Sequence, residues 1–282
     1  MSSPRLIDVL HLGRDRVIGA HLVRGLIVDP GPASALSHWI DDLDEEPRAL
    51  RLTHIHLDHA GATGVLLRRF PGLRVYVSEV GAPHLVDPAK LLASATRIYG
   101  PENMERLWGE VAAVPENRIV ALTGGEEVEG MHVLHTPGHA RHHVCYFDQS
   151  SGDAYVGDMA GVRVPPGEYT IAPTPPPEID VEAWFDSLDA IEARRPERLH
   201  LTHFGAADPE PQIAHVRDAL RRNAELARDG DRDTFLAAVE TRVNDEADAD
   251  TAARLRQAAP PDQLWLGLER YWRKRREREA AS

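Results

Sequence analysis

Between Thr53 and Gly61 the chain reads Thr-His-Ile-His-Leu-Asp-His-Ala-Gly, which sets three imidazoles and a carboxylate within six residues. Ala49 to Leu52, just before it, is taken as an apolar run and reads as a buried strand, and a strand end is a rigid platform from which a loop can aim side chains. His54 and His56 alternate with Ile55 and Leu57, so in extended backbone both rings project from one face. One face can chelate one metal. Asp58 and His59 fall where the chain must turn before Gly61 and Gly64, which aims them toward a second ion. A lone histidine at a strand end is most often just a polar residue. Four ligand-type side chains in six positions read instead as a metal site.

No cysteine lies in this stretch, so an open catalytic site is expected rather than a closed structural zinc of the finger type. The pattern His-x-His-x-Asp-His resembles the signature of the metallo-β-lactamase superfamily, the αββα hydrolases that include glyoxalase II, lactonases, arylsulfatases, ribonuclease Z and persulfide dioxygenases. The resemblance continues in the family's order, with His139 in Thr136-Pro137-Gly138-His139, Asp158 in Val156-Gly157-Asp158 and His203 in Leu201-Thr202-His203-Phe204-Gly205. It spans roughly residues 6 to 205.

The resemblance implies an α/β fold, a four-layer αββα sandwich over residues 1–205 with a helical flap at about 80–115, followed by a C-terminal helical extension over 206–282. It implies that His54, His56 and His139 hold one divalent cation, that Asp58, His59 and His203 hold another, and that Asp158 bridges them. Zinc is the first expectation, with iron and manganese as alternatives, because imidazole and carboxylate accept all three. Two cations about 3.5 to 4 Å apart would bind a shared water as hydroxide near neutral pH. The expected reaction is attack of that hydroxide on an ester, thioester or lactone carbonyl, with Asp58 able to pass a proton. The alternatives are a mononuclear iron persulfide dioxygenase and, in a different class, a non-catalytic metal-binding scaffold. A scaffold would show lost ligands, and none is lost. Asp158 argues against the zinc β-lactamases, and histidine rather than glutamate at positions 54 and 56 argues against the flavodiiron oxidoreductases.

Composition narrows the partners. A formal net charge of −13 opposes nonspecific attraction to nucleic acid and to anionic membranes, which leaves a small-molecule substrate. Cys145 is the single cysteine, so no intrachain disulfide can form. Met1 to Gly13 holds no apolar core of signal-peptide length and no 18-residue apolar run occurs, so a cytoplasmic enzyme is expected.

Along the chain, Leu6 to Leu12, Val17 to Val23 and Leu26 to Val28 read as a strand meander. Asp29-Pro30-Gly31-Pro32 then ends it. Asp29 is read either as a turn-former bonding its own backbone or, by the resemblance, as the residue that orients a metal ligand. Ala33 to Glu46 carries Leu36, Trp39, Ile40 and Leu43 at helical spacing, with Trp39 in the core. Gly61 to Phe70 reads as a helix and Leu73 to Ser78 as a strand, an α/β rhythm. Residues 80 to 115 break that rhythm with two helices divided at Gly100-Pro101, either as packing or as a cover over the metal cleft. His84, Tyr99 and Trp108 are its pocket candidates.

Strands resume at Arg118 to Leu122, Met131 to Thr136, His142 to Phe147 and Ala154 to Val156. The histidines 132, 135, 142 and 143 exceed what the family pattern uses and are read as strand residues or as support for the ligands. Prolines make Arg163 to Glu178 a stiff loop and a candidate pocket wall. In it Tyr169 is read either as a hydrogen-bond donor to a substrate carbonyl or as cover for apolar surface. Val181 to Arg195 is an amphipathic helix through Trp184, Leu188 and Ile191, and Arg198 to Thr202 is the strand that delivers His203. The rest reads as helices at Ile213 to Ala227, Thr234 to Val243, Thr251 to Ala258 and Gln263 to Arg278. The basic end Arg273 to Arg278 is a solvated helix terminus, with subunit contact in a homodimer as the alternative.

Overall fold

A computed structural model describes residues 4–281. Two six-stranded sheets face each other. The first is built in chain order from β1 (Arg5–Asp8), β2 (Gly19–Val23), β3 (Leu26–Val28), β4 (Ala49–Arg51), β5 (Arg74–Ser78) and β6 (Ile119–Leu122), antiparallel through β3 and parallel beyond it. Its crossovers carry α1 (Leu57–Ala60), α2 (Thr63–Arg69), α3 (Ala82–Val86), α4 (Ala89–Tyr99) and α5 (Pro101–Trp108).

The second sheet contains β7 (Glu127–Val128), β8 (Met131–His135), β9 (Val144–Asp148) and β10 (Ala154–Gly157) as an antiparallel run. A short ribbon, β11 (Val162–Arg163) with β12 (Thr170–Ile171), and then α6 (Val181–Ala193) precede β13 (Leu199–Leu201), which pairs parallel with β10, and β14 (Gly205–Ala207). The chain closes with α7 (Pro209–Asp229), α8 (Arg232–Glu246), α9 (Ala249–Ala258) and α10 (Pro261–Ala281). Asp180, Asp231 and Asp248 each cap the helix that follows by accepting a backbone N–H, which fixes where α6, α8 and α9 begin.

Strand alternation distributes the side chains into three apolar cores. Leu26, Val28, Ala49 and Tyr76 of the first sheet meet Met131, Val133, Val144, Tyr146 and Tyr155 of the second in the middle. Ile27, Leu50, Val75 and Val77 point outward to Leu36, Trp39 and Leu66. Cys145, Phe147, Ala154, Val156, Leu199 and Leu201 point outward on the other side to α6 and on to the four tail helices. Three cores between layers make the four-layer αββα sandwich, with the tail built into the outer core of the second sheet. No helix among the described residues is long and apolar enough to cross a membrane.

Three expectations are corrected. Residues 33–46 form two 3₁₀ turns, Ala33–His38 and Ile40–Asp42, instead of a helix, because Trp39 departs from helical geometry at φ −145° and ψ −18°. The run Ala49 to Leu52 is not wholly apolar: Arg51 is fully buried between the sheets, its guanidinium over the Tyr76 and Tyr146 rings and donating to the Val128 carbonyl at 2.9 Å. The first strand stops at Asp8, whose carboxylate accepts from the N–H groups of Leu10 and Arg16 and turns the chain inward at His11.

The tail seats close to the proline-rich loop. A Cβ on Gly267 would lie 1.9 Å from the Thr174 carbonyl oxygen, while the Thr174 hydroxyl donates to the Leu264 carbonyl at 3.0 Å. Gly267→Ala is therefore expected to lower stability by about 1–3 kcal/mol, read from denaturant midpoints beside Gly72→Ala, which has open space at that position. Equal midpoints for the two variants would show that α10 does not press on the loop.

Candidate metal centre

The site lies where the strands of both sheets end. The loop after β4 and the short helix α1 carry His54, His56, Asp58 and His59. The turn after β8 carries His139, the end of β10 Asp158, and the end of β13 His203. Gly138 is required in its turn, since a Cβ there would meet the Trp184 Cα at 2.4 Å. Trp184 is fully buried, donates through Nε1 to the Met159 carbonyl, and sets its ring edge-on to His139 with centroids 5.5 Å apart.

The donor atoms form two converging sets. Nε2 of His54 and Nε2 of His139 lie 2.9 and 3.0 Å from Nδ1 of His56. His139 Nδ1 sits 2.9 Å from the Pro173 carbonyl, which can only accept, so the ring proton is there and Nε2 presents its lone pair. The Thr53 hydroxyl donates to Asp29 and so accepts from His54 Nδ1, leaving His54 Nε2 free in the same way. The lone pairs of His54 and His139 thus converge on His56 Nδ1 at contact distance, which is stable only with a proton or a cation among the three rings.

In the second set, His203 Nδ1 donates to the Val17 carbonyl and His59 Nδ1 to Asp29, at 2.6 and 2.8 Å. The far nitrogens of both rings are buried without a hydrogen-bond partner, as is Oδ1 of Asp158. His59 Nε2 lies 3.1 Å and His203 Nε2 3.5 Å from Asp158 Oδ1, and His203 Nε2 lies 3.4 Å from Asp58 Oδ2. The other Asp158 oxygen, Oδ2, lies 3.3 Å from His139 Nε2. Asp158 thus faces the first set with one oxygen and the second set with the other.

The electrostatics divide along the same line. Burial, reinforced by the neighbouring imidazoles, holds His54 far below the ordinary histidine range and brings His56 down to about 3, so both rings are neutral. Burial alone would also depress His59 and His203, but the carboxylates of Asp158 and Asp58 outweigh it and raise both. Burial would raise Asp158, and His59 and His203 reverse that too. Without a cation, protons on these two rings balance the carboxylates. The residues present therefore fit a pair of divalent cations in charge as well as in geometry.

Asp29 is fully buried. It accepts from Thr53 N and Oγ1, Thr202 Oγ1 and His59 Nδ1 at 2.6–2.9 Å. It also ends β3 at φ 51°, a left-handed conformation that aspartate tolerates, so it both turns the chain and orients His59. Of the extra histidines, His143 is buried and bonded to the Thr136 hydroxyl, with its ring over His54, and His135 is exposed. His142 accepts from the Ile55 N–H and faces Glu178 at 3.9 Å.

A cavity of about 360 Å³ opens on this centre. His56, Asp58, Asp158 and His203 form its floor, and the flap residues His84, Tyr99 and Trp108 line it. The proline-rich loop contributes Pro173 and Pro175–Glu178, but Tyr169 does not reach the cavity. Its ring packs on the core beneath the tail, near Arg222 and Arg242. Sequence reasoning missed His11, whose ring stacks on Trp108 at 5.5 Å, and the segment Gln257 to Leu264 between α9 and α10, which closes one side. Neither carries a motif; a single histidine in an apolar N-terminal run gives no signal.

A family model described as the metallo-beta-lactamase superfamily matches residues 21–203. The chain is 26% identical over 212 residues to the metallo-beta-lactamase fold-containing protein ST1585 of Sulfurisphaera tokodaii, covering 70% of this chain and 75% of that protein. A crystal structure of ST1585 from Sulfolobus tokodaii shares the fold with a TM-score of 0.72 at 22% identity, over 97% of this chain and 99% of the other. A hydroxyacylglutathione hydrolase of a Synechococcus species is 30% identical over 132 residues, which span 47% of this chain and 42% of the enzyme. The crystal structure of TTHA1623 in a di-iron-bound form matches at 25% identity with a TM-score of 0.57, over 75% of this chain and 96% of that one.

Proposed function

Since the chain belongs to the metallo-β-lactamase superfamily, whose model covers residues 21–203, we propose that it is a hydrolase that uses two divalent cations to cleave an ester, thioester or lactone. The observation that carries the reading is the division of Asp158, one oxygen toward His139 and the other toward His59 and His203. His54, His56 and His139 would hold one cation, Asp58, His59 and His203 the other, with Asp158 shared.

Cations held there would acidify a water and polarise the acyl oxygen under attack. The chain's own residues do the rest. The carbonyls of Pro173 and Val17 and the carboxylate of Asp29 fix the tautomers of His139, His203 and His59, so no ring must turn during a cycle. Asp58 lines the cavity floor and is held well below the usual carboxylate range: burial opposes this, and the His59 and His203 rings outweigh it. Its place on the cavity floor would let it pass a proton between the attacking water and the leaving group. The flap and the proline loop wall the cavity over this floor.

Zinc is the first choice of metal. Iron and manganese belong in the same experiment, because the ligand set does not discriminate and a relative has been seen with two irons. Protein loaded separately with zinc, manganese and iron is expected to hydrolyse activated esters, lactones or thioesters without consuming oxygen. Oxygen uptake with glutathione persulfide only in the iron form, with no hydrolysis under any loading and no loss on His203→Ala, would replace this reading with a mononuclear dioxygenase.

A further inference from the structure

The cavity above the metal centre is walled by segments that hold no metal ligand. Leu91, Ala95 and Ile98 come from α4, Leu107 from α5 and Leu264 from the start of α10. These walls are tied to one another. The Tyr99 hydroxyl donates to Gln263 Oε1 at 3.3 Å, joining flap to tail. His11 Nε2 donates to the Leu107 carbonyl at 2.8 Å, and Gln257 Nε2 donates to the His11 carbonyl at 2.9 Å, joining both to the N-terminal loop. The result is a largely apolar chamber, open to solvent, whose polar floor is the metal centre.

Charge narrows what can enter. Lys90, at the exposed start of α4, is the only lysine or arginine among the described residues lining the cavity, and Glu178 is the only carboxylate there besides Asp58 and Asp158 of the metal centre. A carrier bearing two carboxylates, such as a glutathione thioester, or a phosphate-bearing carrier would find one exposed ammonium to pair with. An alkyl chain would find surface that gains from being covered.

We propose that the chamber takes the apolar acyl chain of the substrate, a medium-length alkyl group with its carbonyl at the Asp58 and Asp158 end and its leaving group toward solvent. This assignment rests on the hydrolase reading for its chemistry, but its binding component can be measured alone. Each methylene buried in such a chamber is worth about a fourfold gain in affinity.

The test uses the metal-loaded protein and straight-chain methyl ketones from five to thirteen carbons, which carry a carbonyl but no hydrolysable bond. Calorimetry should show affinity rising about fourfold per methylene and then levelling once the chamber is full. Ser94→Phe, which fills the wall from a partly exposed position on α4, should move the levelling point to shorter chains. Leu107→Ala should move it to longer ones, and kcat/KM for nitrophenyl esters of two to twelve carbons should follow the same order. Affinity that is flat with chain length, or a levelling point that neither variant moves, overturns the chamber. Chain-length-dependent binding without turnover of any ester supports the chamber and removes the hydrolase reading. Efficient turnover of a hydroxyacylglutathione with no chain-length effect does the reverse.

Discussion

Asp158→Ala is expected to take bound metal from two ions per chain toward one or none and to lower kcat for any ester substrate by about 10²- to 10³-fold. The size follows from position. Asp158 is nine-tenths or more buried, and its Oδ1 has no hydrogen-bond partner while lying 3.1 Å from His59 Nε2 and 3.5 Å from His203 Nε2. Its Oδ2 reaches the other set at His139. Removing it takes one anionic donor from each cluster and leaves the two sets without a shared ligand. Asp158→Asn separates ligation from folding, since the amide keeps the shape and loses the charge. That variant should retain native circular dichroism while metal content, measured by elemental analysis after dialysis, falls as in Asp158→Ala. Two ions retained with kcat within about fivefold of the parent, against the loss expected for a shared ligand, would mean that Asp158 is not shared.

The convergence of these side chains was legible because they announce themselves in short motifs: His54 to His59 in one loop, His139 in a Thr-Pro-Gly-His turn, Asp158 after Gly157 and His203 after a strand. Strand positions were legible for a related reason. Strands β3, β5, β9 and β10 read as short apolar runs because each buries both faces, one between the sheets and one under helices. The 33–46 segment misled because Leu36 and Trp39, three apart, suit a 3₁₀ repeat as well as an α-helix, and only packing beneath α5, with Ser34 Oγ donating to the Leu107 carbonyl, decides between them.

Tyr169 misled by proximity in sequence. The β11–β12 ribbon pairs Val162 with Ile171, so the residues between them loop back and Tyr169 leaves the cleft for the tail helices. The pocket walls at His11 and Gln257 to Leu264 were invisible for the opposite reason. They are 246 positions apart at the His11–Gln257 bond, and nothing local in either segment records that the other will arrive.

Asp29 carries the other large effect, because one carboxylate holds the ends of three chain segments in register. Thr53 gives it both a backbone N–H at 2.8 Å and a hydroxyl at 2.6 Å, Thr202 a hydroxyl at 2.9 Å and His59 a ring N–H at 2.8 Å. Thr53 precedes His54 and Thr202 precedes His203, so the same acceptor positions one side chain of the first set and two of the second. Asp29→Ala leaves those four donors without an acceptor in a dry interior, at a cost of about 3–5 kcal/mol, which for a chain of this size lowers the melting midpoint by roughly 10 °C. The surviving folded protein should bind metal about 10- to 100-fold more weakly, since His59 loses the bond that fixes its tautomer. Asp29→Asn sharpens the test, because an amide keeps one oxygen but brings two N–H donors into a ring of donors. It should fall between alanine and the parent in melting temperature, and should lose metal affinity nearly as far as alanine does. Both quantities can be read from one titration series, with a metal-sensitive dye for affinity and calorimetric scans with and without zinc for stability. Parental affinity and midpoint in the Asp29→Asn variant would reduce Asp29 to the residue that turns the chain after β3.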